Sequence, residues 1–314
     1  MSKDLETLPQ NPLRLGTRRS PLAMAQAEEA RARLCTAHGW PLEAITLVPV
    51  TASGDKILDR PLAEIGGKAL WTKELDAWLL DGDIDFAVHS LKDVETWRPE
   101  AITIAAILPR EDVRDVLVGA TSLADLPPGS RIGTSAPRRA AQVLSARPDC
   151  AVVPFRGNVA TRLAKLASGE ADATLLAAAG LSRLDQSHVG TPLAVEHWLP
   201  APGQGAIAIE CRTADSYTRA LLSAIDHAPS HQAVMAERAL LAALGGNCHS
   251  AIGVHTRIEG GDIILRAALF SPDGAERVDG EARFAIADSQ GPAKLASNLL
   301  ARAAPAIRAQ FSGT

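Results

Sequence analysis

Leu13-Arg14-Leu15-Gly16-Thr17-Arg18-Arg19-Ser20-Pro21-Leu22-Ala23 reads as a short strand running directly into a capped helix. Serine accepts the free N–H groups of a first helical turn, and proline suits the first helical position, where its missing N–H would have no partner. Arg131–Thr134, followed by Ser135 and Pro137, repeats the arrangement, so two layers of similar build are expected. Further strand-like runs lie at Ile45–Thr51, Asp85–Leu91, Ile102–Leu108, Asp115–Gly119, Ala151–Phe155, Ala171–Ala178 and Ala206–Cys211. Their alternation with helical stretches argues for βαβ units on largely parallel sheets, an α/β fold. Leu108–Asp112 reads as a first crossing between the layers and Leu199–Gly205 as the return, giving a two-crossing hinge.

The pattern changes after a helix over His231–Leu244, which stops at Gly245-Gly246. Gly253–Ile258, Asp262–Phe270 and Glu276–Ile286 read as an antiparallel meander, and Ala293–Arg308 as a final helix. This is a separate, small α+β domain.

With 314 residues the chain exceeds what one hydrophobic core usually organises. Its 46% hydrophobic and 22% charged residues exclude a mainly disordered chain. Basic residues number 32, of which seven are lysines and 25 arginines, a bias toward bidentate grips on carboxylate or phosphate. A net charge of −4, one tyrosine and no basic run leave no footprint for nucleic acid. The start, MSKDLETLPQNP, has neither signal-peptide nor transit-peptide character, and no apolar stretch reaches the roughly 18 residues of a spanning helix. A cytoplasmic protein without a membrane segment is expected. Cys35, Cys150, Cys211 and Cys248 are scattered, which indicates neither a metal site nor a disulfide framework.

Arg138 and Arg139 fall in a first helical turn, where the macrodipole disfavours cations, so local stability does not explain them. Arg18 and Arg19 stand ahead of Ser20-Pro21, and Arg156 precedes Gly157-Asn158 with Arg162 one turn on. Three strand-to-helix junctions thus present arginine beside free backbone N–H groups, which together suit a polyanion. Asp93 follows Asp85–Lys92 at a strand's carboxyl end, where open α/β sheets bind ligands, although a lone aspartate there also serves as a turn or cap. His89, on the same strand, reads as a packed, hydrogen-bonded histidine. Cys248 sits in Gly245-Gly246-Asn247-Cys248-His249-Ser250, as an accessible nucleophile or an inert turn residue. A binding module on the same fold is the rival reading, and a phosphate-handling transferase lacks a GxxxxGK[ST] loop.

Seven ordered segments resemble the porphobilinogen deaminase (hydroxymethylbilane synthase) family over nearly the whole chain. They are Thr17–Ala23, Gly66-Gly67-Lys68, Val88–Asp93, Gly133-Thr134-Ser135 with Arg138-Arg139, Arg156–Val159 with Thr161-Arg162-Leu163, Gly203–Ala206, and Gly245-Gly246 with Cys248. The resemblance implies two hinged domains built like type II periplasmic binding proteins, plus the small third domain. The expected division is 1–108 with 207–226, then 109–206, then 227–314. It also implies a dipyrromethane cofactor joined to Cys248 by a thioether and lying between domains. Four porphobilinogen units are then joined head to tail with loss of ammonia, giving hydroxymethylbilane. By matched position Asp93 is the catalytic group. Arg18, Ser20, Lys92, Asp93, Ser135, Arg138 and Arg139 contact the cofactor, and Arg18, Arg19, Ser90, Arg156, Arg162 and Arg183 the substrate. No metal is implied, a monomer is expected, and Ser53–Lys68 resembles the family's mobile loop. Glu95, Ala136-Pro137 and Trp71 depart from the family's usual residues.

Overall fold

The computed structural model describes residues 8–50 and 70–311. The Ser53–Lys68 segment and the side chain of Trp71 lie outside the described residues. In chain order the strands are β1 Leu13–Arg18, β2 Ile45–Val50, β3 Phe86–Ser90, β4 Ile102–Ile107, β5 Asp115–Val118, β6 Arg131–Gly133, β7 Ala151–Val153, β8 Ala173–Ala177, β9 Thr191–Pro192, β10 Ile207–Arg212, β11 Ile252–Glu259, β12 Asp262–Phe270 and β13 Arg277–Ala285. The α-helices are α1 Pro21–His38, α2 Leu70–Asp81, α3 Pro137–Ala146, α4 Val159–Ala167, α5 Ala178–Ser182, α6 Ser216–Leu222, α7 Ala228–Ala243, α8 Gly291–Arg302 and α9 Pro305–Arg308. The chain divides into two units, Met1–Arg110 with Ala206–His231, and Glu111–Gly205 with Gln232–Thr314.

In the first unit the sheet order is β2-β1-β3-β10-β4. β1 pairs in parallel with β2 and β3, while β10 runs antiparallel to β3 and β4. Helix α1 covers one face because Ala23, Gln26, Ala27, Ala30 and Leu34 recur at steps of three and four along a buried stripe. Leu15, Leu34, Ile45, Phe86 and Ile209 fill that side of the core. Val50, Leu75, Leu79, Ile84 and Ala87 form a second cluster. Each large apolar side chain so buried contributes about 1.5–3 kcal/mol.

The second unit repeats the order as β7-β6-β8-β5-β9, again with two parallel and two antiparallel pairings. The repeated order matches the expectation of two layers of similar build. This unit also holds the antiparallel meander β11-β12-β13, with Leu240, Leu265, Leu269, Leu295 and Leu299 in its core. Ala141 of α3, Leu199, Ala251, Ala268 and Phe270 form a further cluster that joins α3 to the meander.

Three expectations change. The five-stranded sheets are mixed rather than largely parallel, because β10 and β5, the strands that directly follow the crossings, enter antiparallel to their neighbours. The helix expected over Ala293–Arg308 is two, α8 and α9, broken ahead of Pro305, which lacks an N–H and disfavours helical backbone at Ala304. Helix α1 is capped by Ser20 as expected, but the cap of α3 is Ala136, with no side-chain bond, and Ser135 lies outside it.

Candidate functional site

In the first unit the parallel pairing of β1 and β3 brings their carboxyl ends to one edge of the sheet. Arg18 closes β1, and the turn after it is held twice, by Thr17 Oγ1 donating to the Ala23 carbonyl at 3.1 Å and by Ser20 Oγ accepting from the Ala23 N–H at 3.3 Å. Arg18 is half-buried and Arg19 exposed. Beyond β3 the chain makes one tight 3-10 turn, Leu91–Asp93. The Leu91 N–H donates to the Ala206 carbonyl at 3.0 Å and the Val94 N–H to the Leu91 carbonyl at 3.1 Å. Leu91 and Val94 are buried, so Lys92 and Asp93 project between two anchored apolar residues, with Asp93 exposed. Ser90 makes a reciprocal pair with Gln26, whose Nε2 lies 2.8 Å from the serine oxygen.

Below this turn lies a buried charged network. Arg98 grips Glu210 through Nε and Nη2 at 2.8 and 2.9 Å, and Asp76 through Nη1 and Nη2 at 3.0 and 2.5 Å. His89 is buried, as expected, but its Nε2 stands 3.3 Å from Glu210 Oε2 outside hydrogen-bond geometry. Burial, reinforced by the Arg98 charge, pulls the imidazole down to about 4, so it is neutral near pH 7.

In the second unit Thr134 continues β6, its N–H donating to the Val153 carbonyl at 2.9 Å. Gly133 is required there because a Cβ would stand 2.5 Å from the Phe155 ring. Ser135 is exposed. Arg138 and Arg139, expected to grip an anion, are buried and share an internal carboxylate. Arg139 Nη2 lies 2.6 Å from Asp115 Oδ1, and Arg138 Nη1 lies 2.8 Å from Oδ2. Trp198 Nε1 and Gln204 Nε2 donate to the same carboxylate at 2.8 and 2.9 Å. Burial alone would raise the Asp115 carboxyl, but the two guanidinium charges outweigh it and hold the group well below the carboxylate range. Asp115 therefore supplies the stabilising partner that the local helix turn lacks.

Arg156 is half-buried, with Nη1 buried and without a hydrogen-bond partner among the described residues; Arg138 Nε is in the same condition. Asn158 caps α4 by accepting the Thr161 N–H at 2.9 Å, and Arg162 Nε donates to the Gly157 carbonyl at 3.0 Å. Arg183 Nη2 donates to the Gly205 carbonyl at 3.3 Å.

Cys248 is the exposed cysteine of the four. Its loop leaves α7 through Gly245, at φ 71°, and Gly246, where a Cβ would stand 2.6 Å from Leu241 Cδ1. The Asn247 N–H donates to Ser250 Oγ at 3.0 Å and the His249 N–H to Asn247 Oδ1 at 2.9 Å, which closes the turn around the thiol. Burial raises the Cys35, Cys150 and Cys211 thiols, the last to about 11, so those three are poor nucleophiles at neutral pH. Buried Glu237 of α7 accepts the Gly203 N–H at 2.7 Å, tying the helix that leads to Cys248 to the 201–205 turn.

Sequence reading named the residues of these turns but not the groups beneath them. Gln26 carried a signal, a polar residue on an otherwise apolar helical stripe. Asp76, Arg98, Asp115, Glu210 and Glu237 carried none, since each looks like an ordinary surface charge until its neighbour is known. Among the described residues no group of three His, Cys, Asp or Glu side chains is disposed to hold a metal ion.

A family model described as porphobilinogen deaminase, dipyromethane cofactor binding domain, matches residues 13–220, and one described as porphobilinogen deaminase, C-terminal domain, matches residues 231–302. The chain is 56% identical over 310 residues to a porphobilinogen deaminase of Sphingopyxis alaskensis, covering 97% of this chain and 98% of that one. It is 49% identical over 303 residues to a porphobilinogen deaminase of Nitrobacter winogradskyi, covering 95% and 96%. Among solved structures, a periplasmic substrate-binding protein of an ABC transporter from Coxiella burnetii aligns at TM-score 0.42 and 16% identity, over 72% of this chain and 94% of that one. A His/Glu/Gln/Arg/opine family-binding protein from Silicibacter pomeroyi, in complex with lysine, aligns at TM-score 0.36 and 17% identity, over 68% and 88%.

Proposed function

The chain belongs to the porphobilinogen deaminase family, and from that premise we propose how its own residues carry the reaction. It is a transferase that joins four porphobilinogen molecules head to tail with release of ammonia, giving hydroxymethylbilane for tetrapyrrole biosynthesis. The observation that carries the assignment of roles is the Leu91–Asp93 turn, which offers an exposed carboxylate on anchored backbone at the shared edge of β1 and β3.

As ammonia leaves porphobilinogen, positive charge develops on the remaining methylene-pyrrole. Asp93 stabilises that charge with a carboxylate already in place, so no reorganisation is needed as the charge forms. The same carboxylate accepts pyrrole N–H groups and relays protons, a contribution of about 10²–10⁴-fold in rate. Each porphobilinogen brings an acetate and a propionate, and Arg18, Arg19, Arg156, Arg162 and Arg183, with Ser90, are the residues we assign to them. Guanidinium suits this role because its fork matches a carboxylate's two oxygens.

The dipyrromethane cofactor of the family carries the same kinds of carboxylate, and this chain's residues fit it. Arg138 Nε and Arg156 Nη1 are buried donors without a hydrogen-bond partner among the described residues, and Cys248 is an exposed thiol on a closed turn. Cys248 would hold the group by a thioether, with Arg18, Ser20, Lys92, Asp93, Ser135, Arg138 and Arg139 as its polar contacts. When bound, the dipyrromethane supplies the pyrrole carbon from which the chain grows.

We divide the chain functionally into 1–108 with 207–226, 109–206, and 227–314; the separate apolar clusters around the three sheets support this. We further infer a cytoplasmic monomer that works without membrane or nucleic acid. The net charge of −4 supports the reading without nucleic acid, and no described helix is long and apolar enough to cross a membrane. The test of the function is stoichiometric. Purified protein given porphobilinogen should release four ammonia per hydroxymethylbilane, and no ammonia would refute the reading.

A further inference from the structure

Arg98 lies five residues after Asp93, and its side chain is 8% exposed. Every nitrogen of its guanidinium is committed to Asp76 of α2 or Glu210 of β10, whose side chains are 11% and 0% exposed. Such a cluster is poorly explained by stability alone. Desolvating three charges costs several kcal/mol each, and apolar replacements of buried ion clusters are commonly neutral or stabilising. What the cluster does supply is direction, since a fork gripping two carboxylates on two different elements admits one orientation.

The segment between the reactive aspartate and the fork is short and anchored at both ends. Leu91 is tied to the Ala206 carbonyl, Val94 is buried, and Arg98 fixes the far end to β10 and α2. We propose that Arg98 is a positioning residue for Asp93, holding the turn that presents the carboxylate by clamping Asp76 and Glu210 beneath it. The proposal rests on the role assigned to Asp93 above. Arg98 also offsets the two carboxylates that flank His89. The charged groups around that imidazole are Arg98, Asp76, Glu210, Arg18 and Asp93, with Glu95 3.7 Å from the Arg98 guanidinium. Loosening the fork exposes His89 to two poorly compensated negative charges.

Two variants test this. Arg98→Lys keeps the charge but loses the fork. Arg98→Met combined with Asp76→Asn and Glu210→Gln removes every charge of the cluster and leaves no buried ion unpaired. In both, activity is expressed per molecule bearing the cofactor chromogen. The expected result is a kcat 10- to 100-fold below wild type with KM within about twofold, since a displacement near 1 Å costs about that factor. In Arg98→Lys the His89 ring, followed by NMR, should titrate at higher pH than in wild type, a readout independent of turnover. Wild-type kcat per loaded molecule in either variant overturns the proposal. So does failure of both to fold, which would make Arg98 a residue of the fold alone. Wild-type protein and Asp93→Asn run alongside: if wild type releases no ammonia, the functional reading fails, whereas active wild type with unaffected Arg98 variants fails only the positioning role.

Discussion

Arg139 Nη2 stands 2.6 Å from Asp115 Oδ1, with both side chains buried, and Arg138 closes on the other oxygen at 2.8 Å. Asp115→Asn keeps the shape and removes the only carboxylate these two cations share in those ion pairs. Removing one partner of a buried cluster costs about 3–5 kcal/mol. Urea unfolding of the variant at pH 7 should show a loss of that size, and a loss under about 1 kcal/mol would mean the pair is solvated.

The pH dependence of stability should come from His89 rather than Asp115. The Asp115 carboxyl is held well below its ordinary value, so its contribution is fully present above the unfolded carboxylate pKa and is lost progressively only as pH falls below it, at more acid pH than the range in which His89 acts. His89 is depressed to about 4, so an unfolded chain binds a proton there that the folded one refuses. Its contribution is present above about 6.5 and is lost as pH falls toward 4. Between pH 7 and pH 5 that loss is about 2 kcal/mol. His89→Gln should show a correspondingly flatter stability profile over this window; an unchanged profile would contradict the buried neutral state.

Asp93→Asn should fold and melt like wild type, because the side chain is exposed and the turn is held by Leu91 and Val94. Turnover should drop by about 10²–10⁴-fold. Ammonia release at the wild-type rate would remove Asp93 from the chemistry.

Arg156→Leu deletes the buried Nη1 that has no hydrogen-bond partner among the described residues. If this nitrogen awaits a carboxylate, its loss should weaken binding by about 2–5 kcal/mol. The measurement is KM for porphobilinogen with thermal stability as the control, and unchanged KM would count against the assignment.

Cys248→Ser should give a bare-chain mass, no chromogen and no activity, because a hydroxyl is a far weaker nucleophile than a thiolate. Serine at 35, 150 or 211 should leave the adduct in place, since burial raises those thiols. Intact-protein mass spectrometry decides, and an adduct surviving in Cys248→Ser would relocate the attachment.

Much of this protein is legible in local sequence. Ser20-Pro21 starts α1, Gly245-Gly246 ends α7, and the run before Asp93 forms a strand, because caps, stops and strands depend on backbone groups within about four residues. The same locality explains why Arg18 is readable at a strand's end and Arg156, Asp93 and Cys248 as residues on turns. Only the tertiary structure decided which charges meet. Arg98 reaches Glu210 across 112 residues of sequence, Ser90 reaches Gln26 across 64, and Arg139 reaches Asp115 across 24. Those meetings depend on which strands pair and in which direction, and the antiparallel insertion of β10 and β5 follows from the chain's crossings rather than from any local pattern. A buried ion pair is a small difference between large desolvation and attraction, so nothing in the neighbouring residues announces it.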